Sequence, residues 1–204
     1  SSSIKFRLYA LGGALPFLLG GKVTDIGGAP VFQVHEEEHS RDDIHPLPVG
    51  TTHADALEHI LGWLEARRDR WQLAAAAHRV VHGGTRYTRA TRLDDAVLAY
   101  LDTLCPLAPL HQPHNLAAVH ALWSNHPDLP QFACFDTAFH AQHDPLFSCF
   151  ALPQSLREQG IRRYGFHGLS YQWIAHCLVR DYPTLAQGKV VVAHLGNGSS
   201  LCAL

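Results

Sequence analysis

The first residues alternate with the two-residue period of a half-buried strand: Ile4, Phe6, Leu8 and Ala10 are separated by Lys5, Arg7 and Tyr9. Gly12-Gly13 then turns the chain. Apolar runs at 18–26 and 31–34, separated by Gly27-Gly28 and Pro30, predict an antiparallel meander. Residues 36–48 are acidic and His-rich and read as a surface loop. From Thr51 the period becomes helical, with Thr51 or Thr52 as cap and Leu57, Ile60, Leu61 and Leu64 on one face. A short strand at 78–82 ends at Gly83-Gly84, where glycines permit close approach of a ligand. Asp94 and Asp95 open a helix with Val97, Leu98, Leu101 and Leu104 inward, ended by Pro106 and Pro109. The segment 109–115 opens another helix, with Asn115 as its cap.

Phe132, Ala133, Cys134 and Phe135 form an apolar run that reads as a buried strand, and it stops at Asp136. A carboxylate there needs a partner, and the carboxyl ends of buried strands are where open α/β sheets place ligand chemistry. Pro153 starts a short helix that Gly160 ends. Ser170 caps a further helix, with Ile174, Ala175, Leu178 and Val179 inward. A Val-rich strand at 189–195 runs into Gly196-Asn197-Gly198-Ser199-Ser200. Strands alternating with helices predict an α/β class with a parallel component.

Bulk properties narrow the classes. The 204 residues suffice for one large domain, or one domain and part of a second. A hydrophobic content of 47% with 17% charged residues is that of a folded protein, and a net charge of −2 argues against nucleic acid or an anionic membrane as partner. No apolar run approaches the roughly 20 residues of a bilayer span. Five widely spaced cysteines contain no C-x-x-C pair, so they are expected to be reduced packing residues of a cytoplasmic protein. The 16 histidines raise a metal-binding module as an alternative, but His35, His39, His45 and His53 read as residues of polar loops. The chain begins at Ser-Ser-Ser without Met and ends on a strand-like run, so both ends look cut.

The candidate chemistry is anionic. The glycine turn after Leu195 suits a phosphate cradle of backbone N–H groups or, equally, a hairpin. Arg79, flanked in an apolar strand, needs a carboxylate or phosphate, supplied either by a ligand or by a structural acid such as Asp136 or Asp102. His167 is either a donor to developing negative charge or a satisfied core residue. Lys5 is either a phosphate contact or an ordinary exposed lysine. Arginine, histidine, a carboxylate and a glycine turn together suit phosphoryl transfer, which is mostly positioning and charge neutralisation.

These segments resemble the acetate kinase family. Ser1-Ser2-Ser3-Ile4-Lys5-Phe6 is similar to the end of its N-terminal Asn-x-Gly-Ser-Ser-Ser-x-Lys motif. HRVVHGG at 78–84, APLHQPHN at 108–115, FDTAFH at 135–140, YGFHG at 164–168 and HLGNGSS at 194–200 follow in the family's order. The match extends over nearly the whole chain except 12–53, and over about the first half of the family's length. It implies an actin-like (ribonuclease H-like) ATPase fold, truncated, with residues 1–150 as the N-terminal lobe and 151–204 as the start of the nucleotide-binding lobe.

The resemblance also implies roles. ATP phosphorylates acetate directly, giving acetyl phosphate and ADP, with Mg²⁺ or Mn²⁺ as cofactor. Arg79 holds the acetate carboxylate and then the transferring group. Asp136 is the catalytic carboxylate and a metal contact. His167 stabilises the equatorial oxygens. Lys5, His194, Leu195, Gly196, Asn197 and Gly198 bind nucleotide phosphates, Val81, Leu110 and Phe166 take the methyl group, and His111 lines the substrate side. A cytoplasmic homodimer without nucleic-acid or membrane partners is implied for the full-length protein.

Two departures stand out. The family's usual Gly-Thr-Ser-His is here Gly168-Leu169-Ser170-Tyr171, which puts a polar role at Tyr171 in question. The Asn and Gly of the first phosphate motif are missing, and the family's second arginine, acidic Mg²⁺ ligand and adenosine pocket lie past Leu204, so residues 1–204 alone are expected to be inactive. The alternatives are a kinase of propionate or another short-chain acid, and a non-catalytic nucleotide-binding homologue.

Overall fold

The computed structural model describes residues 3–204 apart from 37–38, 68 and 197, with the side chains of 39–41 also outside the description. The chain forms two compact units, Ser1–Leu73 with Ala117–Asp128, and Ala74–Leu116 with Leu129–Leu204. Residue 150, the expected lobe boundary, lies inside the second unit.

In the first unit β1 (Ile4–Tyr9), β2 (Phe17–Thr24), β3 (Val31–Glu36) and β4 (His39–Pro46) form an antiparallel sheet in sequence order. The expected meander is present, but it has a fourth strand where a polar loop was expected. The backbone of residues 39–46 completes the ladder of β3, pairing Phe32 with His45 and Val34 with Asp43. An edge strand needs only its hydrogen bonds, and charged side chains there guard against pairing with another chain. That is why its apolar pattern is weak. His35, His39 and His45 therefore lie in strands, and His53 begins α1 (His53–Glu65).

Leu19, Val23, Phe32 and Val34 form a core with Ala56, Ile60, Trp63 and Leu64 of α1. Phe6 stacks on Phe32 with ring centroids 6.3 Å apart. A Cβ at Gly21 would lie 2.4 Å from the Phe6 ring, so only glycine lets that ring lie flat across β2. Thr52 starts α1 through a capping box: its Oγ1 accepts from Asp55 N–H (3.2 Å), and its own N–H donates to Asp55 Oδ2 (2.9 Å).

In the second unit β5 (Ala76–Val80) and β6 (Thr91–Arg92) are followed by α2 (Asp95–Thr103), by the start of α3 (Gln112–Asn125), whose residues from Ala117 on belong to the first unit, and then by β7 (Gln131–Phe135). β7 is the central strand, parallel to β5 and antiparallel to β6. Short helices α4 (Pro145–Ser148) and α5 (Gln154–Arg157) precede α6 (Gly168–Asp181) and α7 (Pro183–Ala186), and β8 (Val191–His194) and β9 (Ser200–Ala203) close as a hairpin.

Three local expectations are corrected. α3 starts at Gln112, so Asn115 is already helical, and its Oδ1 instead accepts from Val81 N–H at 3.1 Å. α6 starts one turn before Ser170, with His167 at its N-cap in the left-handed region (φ 57°) and no side-chain cap. Ile174 and Val179 are exposed, and the buried residues of that helix are Gly168 and Tyr171. All five cysteines are free thiols. Among the described residues no helix is long and apolar enough to cross a membrane.

Replacing Thr52 with Ala removes the acceptor of the capping box and is expected to cost about 1 kcal/mol of unfolding free energy, measured by urea titration.

Candidate active site

The parallel pairing of β5 with β7 sets Arg79 opposite Cys134, and Asp136 follows one residue past the end of β7 with its N–H donating to Val80 O at 3.1 Å. Two strand ends thus deliver a guanidinium and a carboxylate to the same place. Arg79 Nε donates to Asp136 Oδ1 at 3.0 Å, and Nη2 donates to Oδ2 at 2.6 Å. The pair is asymmetric: the Asp136 side chain is 2% exposed and that of Arg79 is 61% exposed. The carboxylate is therefore held by the buried end of the fork. Nη1 makes no hydrogen bond among the described residues and keeps its donors unused by Asp136.

The turn after β5 is fixed by buried polar residues. His82 N–H donates to Gln112 Oε1, and Gln112 Nε2 donates back to His82 O, both at 3.0 Å. Thr137 Oγ1 accepts from Gly83 N–H at 3.1 Å, and His82 Nδ1 accepts from Gly84 N–H at 2.8 Å. Tyr164 packs edge-on against His82 at 4.4 Å, and Phe166 does so at 5.8 Å.

His167 reaches this place through the start of α6. Gly168 N–H donates to Asp136 O at 2.9 Å, and a Cβ at Gly168 would lie 2.3 Å from that oxygen. Only glycine allows the approach that sets His167 beside the turn carrying Asp136. His167 stacks on His194 with centroids 4.1 Å apart, and its Nδ1 lies 2.7 Å from Ser200 Oγ. Burial, and then the neighbouring His194, push the His167 imidazole below its ordinary value, with Asp136 opposing them. Both effects favour the neutral form of the ring. His194 Nδ1 lies 3.0 Å from Ser170 Oγ, which is the work Ser170 does in place of capping. His140 Nε2 lies 3.0 Å from Phe166 O.

Arg79, Asp136, His167 and His194 are therefore brought together within one unit. The loop joining β8 to β9 is a hairpin; Leu195 is exposed and Gly196 O accepts from Ser199 Oγ at 3.2 Å. Asn197 lies outside the described residues. A methyl group at Gly198 would lie 3.5 Å from His167 Nε2, so that nitrogen faces the glycine turn. Val81 is half-buried, Phe166 is 37% exposed and Leu110 is 75% exposed. His111 is exposed and its N–H donates within its own turn, to Ala108 O. Lys5 is exposed in the first unit. A cavity of about 520 Å³ borders the site through Thr137 and His140, with Arg162, Arg163 and Tyr164 also on its wall.

Among the described residues no group of three His, Cys, Asp or Glu is arranged to hold a metal. Asp136, already bonded to Arg79, offers at most one ligand, so these residues do not by themselves form a Mg²⁺ site. Ser200, Gln112, Thr137 and His140 were missed in the sequence. Their roles arise from contacts between residues 26 to 54 positions apart, so the motifs at 108–115, 135–140 and 194–200 contain them without showing what they bond to.

The Acetokinase family model matches residues 1–204. An acetate kinase of Rhodopseudomonas palustris (strain ATCC BAA-98 / CGA009) is 46% identical over 208 residues, covering 100% of this chain and 52% of the relative. Among solved structures, a propionate kinase of Francisella tularensis is similar with TM-score 0.86 and 30% identity, covering 100% of this chain and 52% of that one. An acetate kinase of Porphyromonas gingivalis gives TM-score 0.81 and 28% identity, with coverage of 100% and 52%. The chain thus spans about half the length of the curated relatives it matches.

Burial pushes the His82 imidazole below its ordinary value, and protonation at Nδ1 would delete the bond from Gly84. Below about pH 6.5 the unfolded chain binds a proton that the folded chain refuses, so stability rises with pH across that window. The thermal midpoint is expected to fall as pH is lowered from about 7 to below 6, and His82→Gln to flatten part of that slope. A slope untouched by the substitution would exclude His82 as its source.

Proposed function

We propose, for a chain that belongs to the Acetokinase family, that the protein of which it is part is an acetate kinase of actin-like fold. It transfers the γ-phosphoryl group of ATP to acetate, reversibly and without a covalent enzyme intermediate. The observation that carries this reading is the Arg79 fork, bound to a buried Asp136 on one side and open on the other, in the same unit as His167.

A carboxylate oxygen of acetate attacks the γ-phosphorus in line. The bond from that phosphorus to the β–γ bridging oxygen breaks, and ADP leaves with its electron pair. No group on the protein has to form a bond, so catalysis rests on placement and cancelled charge. The outward face of Arg79 binds the acetate carboxylate and then the moving phosphoryl group. Asp136 keeps that guanidinium in one orientation. His167 donates from Nε2 to an equatorial oxygen. Backbone N–H groups of Gly196 and Gly198, with His194 and Leu195, hold the ATP phosphates. Mg²⁺ or Mn²⁺ would be held mainly by the nucleotide phosphates, with Asp136 as at most one protein ligand, and would supply neutralisation of their charge. Val81, Leu110 and Phe166 form the pocket for the methyl group and His111 lines its mouth. Residues 1–150 belong to the first lobe, 151–204 to the second, and the whole protein is a cytoplasmic homodimer with no nucleic-acid or membrane partner.

A second reading, phosphorylation of propionate, is favoured by the likeness to a propionate kinase structure. The pocket decides between them, because one methylene is worth roughly 1–3 kcal/mol in such a site.

In a hydroxamate assay of the full-length protein, His167→Ala is expected to lower kcat by about 100-fold or more with little change in the KM for ATP. Arg79→Lys keeps the charge but loses the fork, and is expected to act the same way. Wild-type turnover in His167→Ala would overturn this account. Val81→Ala is expected to raise kcat/KM for propionate relative to acetate by about tenfold or more; a constant ratio would remove Val81 from the pocket.

A further inference from the structure

Tyr171 stands where the resemblance places a histidine, and its hydroxyl is bonded to Ser200 Oγ. The residue is 1% exposed, and among the described residues Ser200 Oγ is the one hydrogen-bond partner of that hydroxyl. The same Ser200 oxygen lies 2.7 Å from His167 Nδ1. Three groups therefore share two hydrogen bonds through one serine, which has a single proton to give.

Only one direction satisfies every donor. If Ser200 gave its proton to Tyr171, the buried phenol O–H would have no acceptor, an arrangement that buried polar groups avoid. With Tyr171 donating to Ser200, an Nδ1–H on His167 would have to donate to the same oxygen and would leave the serine O–H without an acceptor among the described residues, so the serine proton is directed to Nδ1, which is then the unprotonated nitrogen. The ring proton of the neutral imidazole is left on Nε2, the atom that faces the Gly198 turn. A histidine at position 171 carries both a donor and an acceptor nitrogen and would leave the direction open.

We infer that Tyr171 is a positioning residue that acts through Ser200 to hold His167 in its Nε2–H tautomer, with the donor aimed at the glycine turn. This rests on the proposed role of His167, because the donor is useful only if a phosphoryl oxygen arrives there. The other groups facing the His167 ring do not impose the same choice. His194 lies face to face with it, and Asp136, Arg79 and His140 act on it at longer range, through charge.

The test is ¹⁵N NMR of the histidine rings in the full-length protein at neutral pH, with the His167 signals assigned by His167→Gln. The wild type is expected to show His167 protonated at Nε2 and hydrogen-bonded at Nδ1. Tyr171→Phe keeps the buried ring but frees the serine from its donor, and is expected to give a measurable Nδ1–H population. Its kcat is expected to fall about fivefold at unchanged KM for ATP. Ser200→Ala is expected to remove the hydrogen-bonded Nδ1 signal. A wild-type His167 protonated at Nδ1, or a Tyr171→Phe variant with an unaltered tautomer, would overturn the inference. The wild-type spectrum needs no variant to fold. Activity is read separately: the expected tautomer together with full turnover in His167→Ala would refute the kinase role of His167 and leave the tautomer assignment standing.

Discussion

A carboxylate that has lost its water is the constraint on which the second unit turns. Asp136 is 2% exposed, at the end of the central strand of its sheet. A charge in that position is tolerated only with a partner of opposite sign and good geometry. Arg79 supplies it from the neighbouring parallel strand, so the pairing of β5 with β7 and the ion pair require one another. Because the guanidinium spends Nε and Nη2 on this contact, its remaining donors point away from the buried acid. A structural ion pair and an anion-binding group are therefore not rival descriptions of Arg79. The inner half of the fork serves the fold and the outer half faces solvent.

Around that pair the backbone is held by polar residues that are themselves satisfied. His82, Gln112 and Thr137 fix the turn after β5, and Gly168 closes onto the carbonyl of Asp136. Each is a side-chain-to-backbone or backbone-to-backbone contact. Such contacts set the angle at which Val81 and His167 leave their elements. The stacked pair of His167 and His194 adds a reason for neutrality, since two cations 4.1 Å apart would repel each other strongly.

Much of this was legible in the residues. Periods of two and of about 3.6 located most strands and helices. The order of HRVVHGG, FDTAFH, YGFHG and HLGNGSS carried the likeness to acetate kinases, which the family match over residues 1–204 bears out. What failed was local. Strand β4 was hidden because an edge strand is held by backbone bonds that leave no apolar signature. Asn115 and Ser170 have the chemistry of caps, but their oxygens were taken by Val81 N–H and His194, partners 34 and 24 residues away. The inward face of α6 was misjudged at Ile174 and Val179, because helical spacing alone does not say which neighbour covers a face.

Residue types and their order determined the class of fold, the acid and the arginine that had to find partners, and the kind of ligand such a set suits. Those follow from short-range physics: side-chain periodicity, turn preference and the cost of an unpaired charge. The identity of the partners belongs to the tertiary structure. That Arg79 answers Asp136, that the buried Tyr171 hydroxyl finds Ser200, and that this serine joins it to His167 were decided only when residues far apart in the chain were folded against each other.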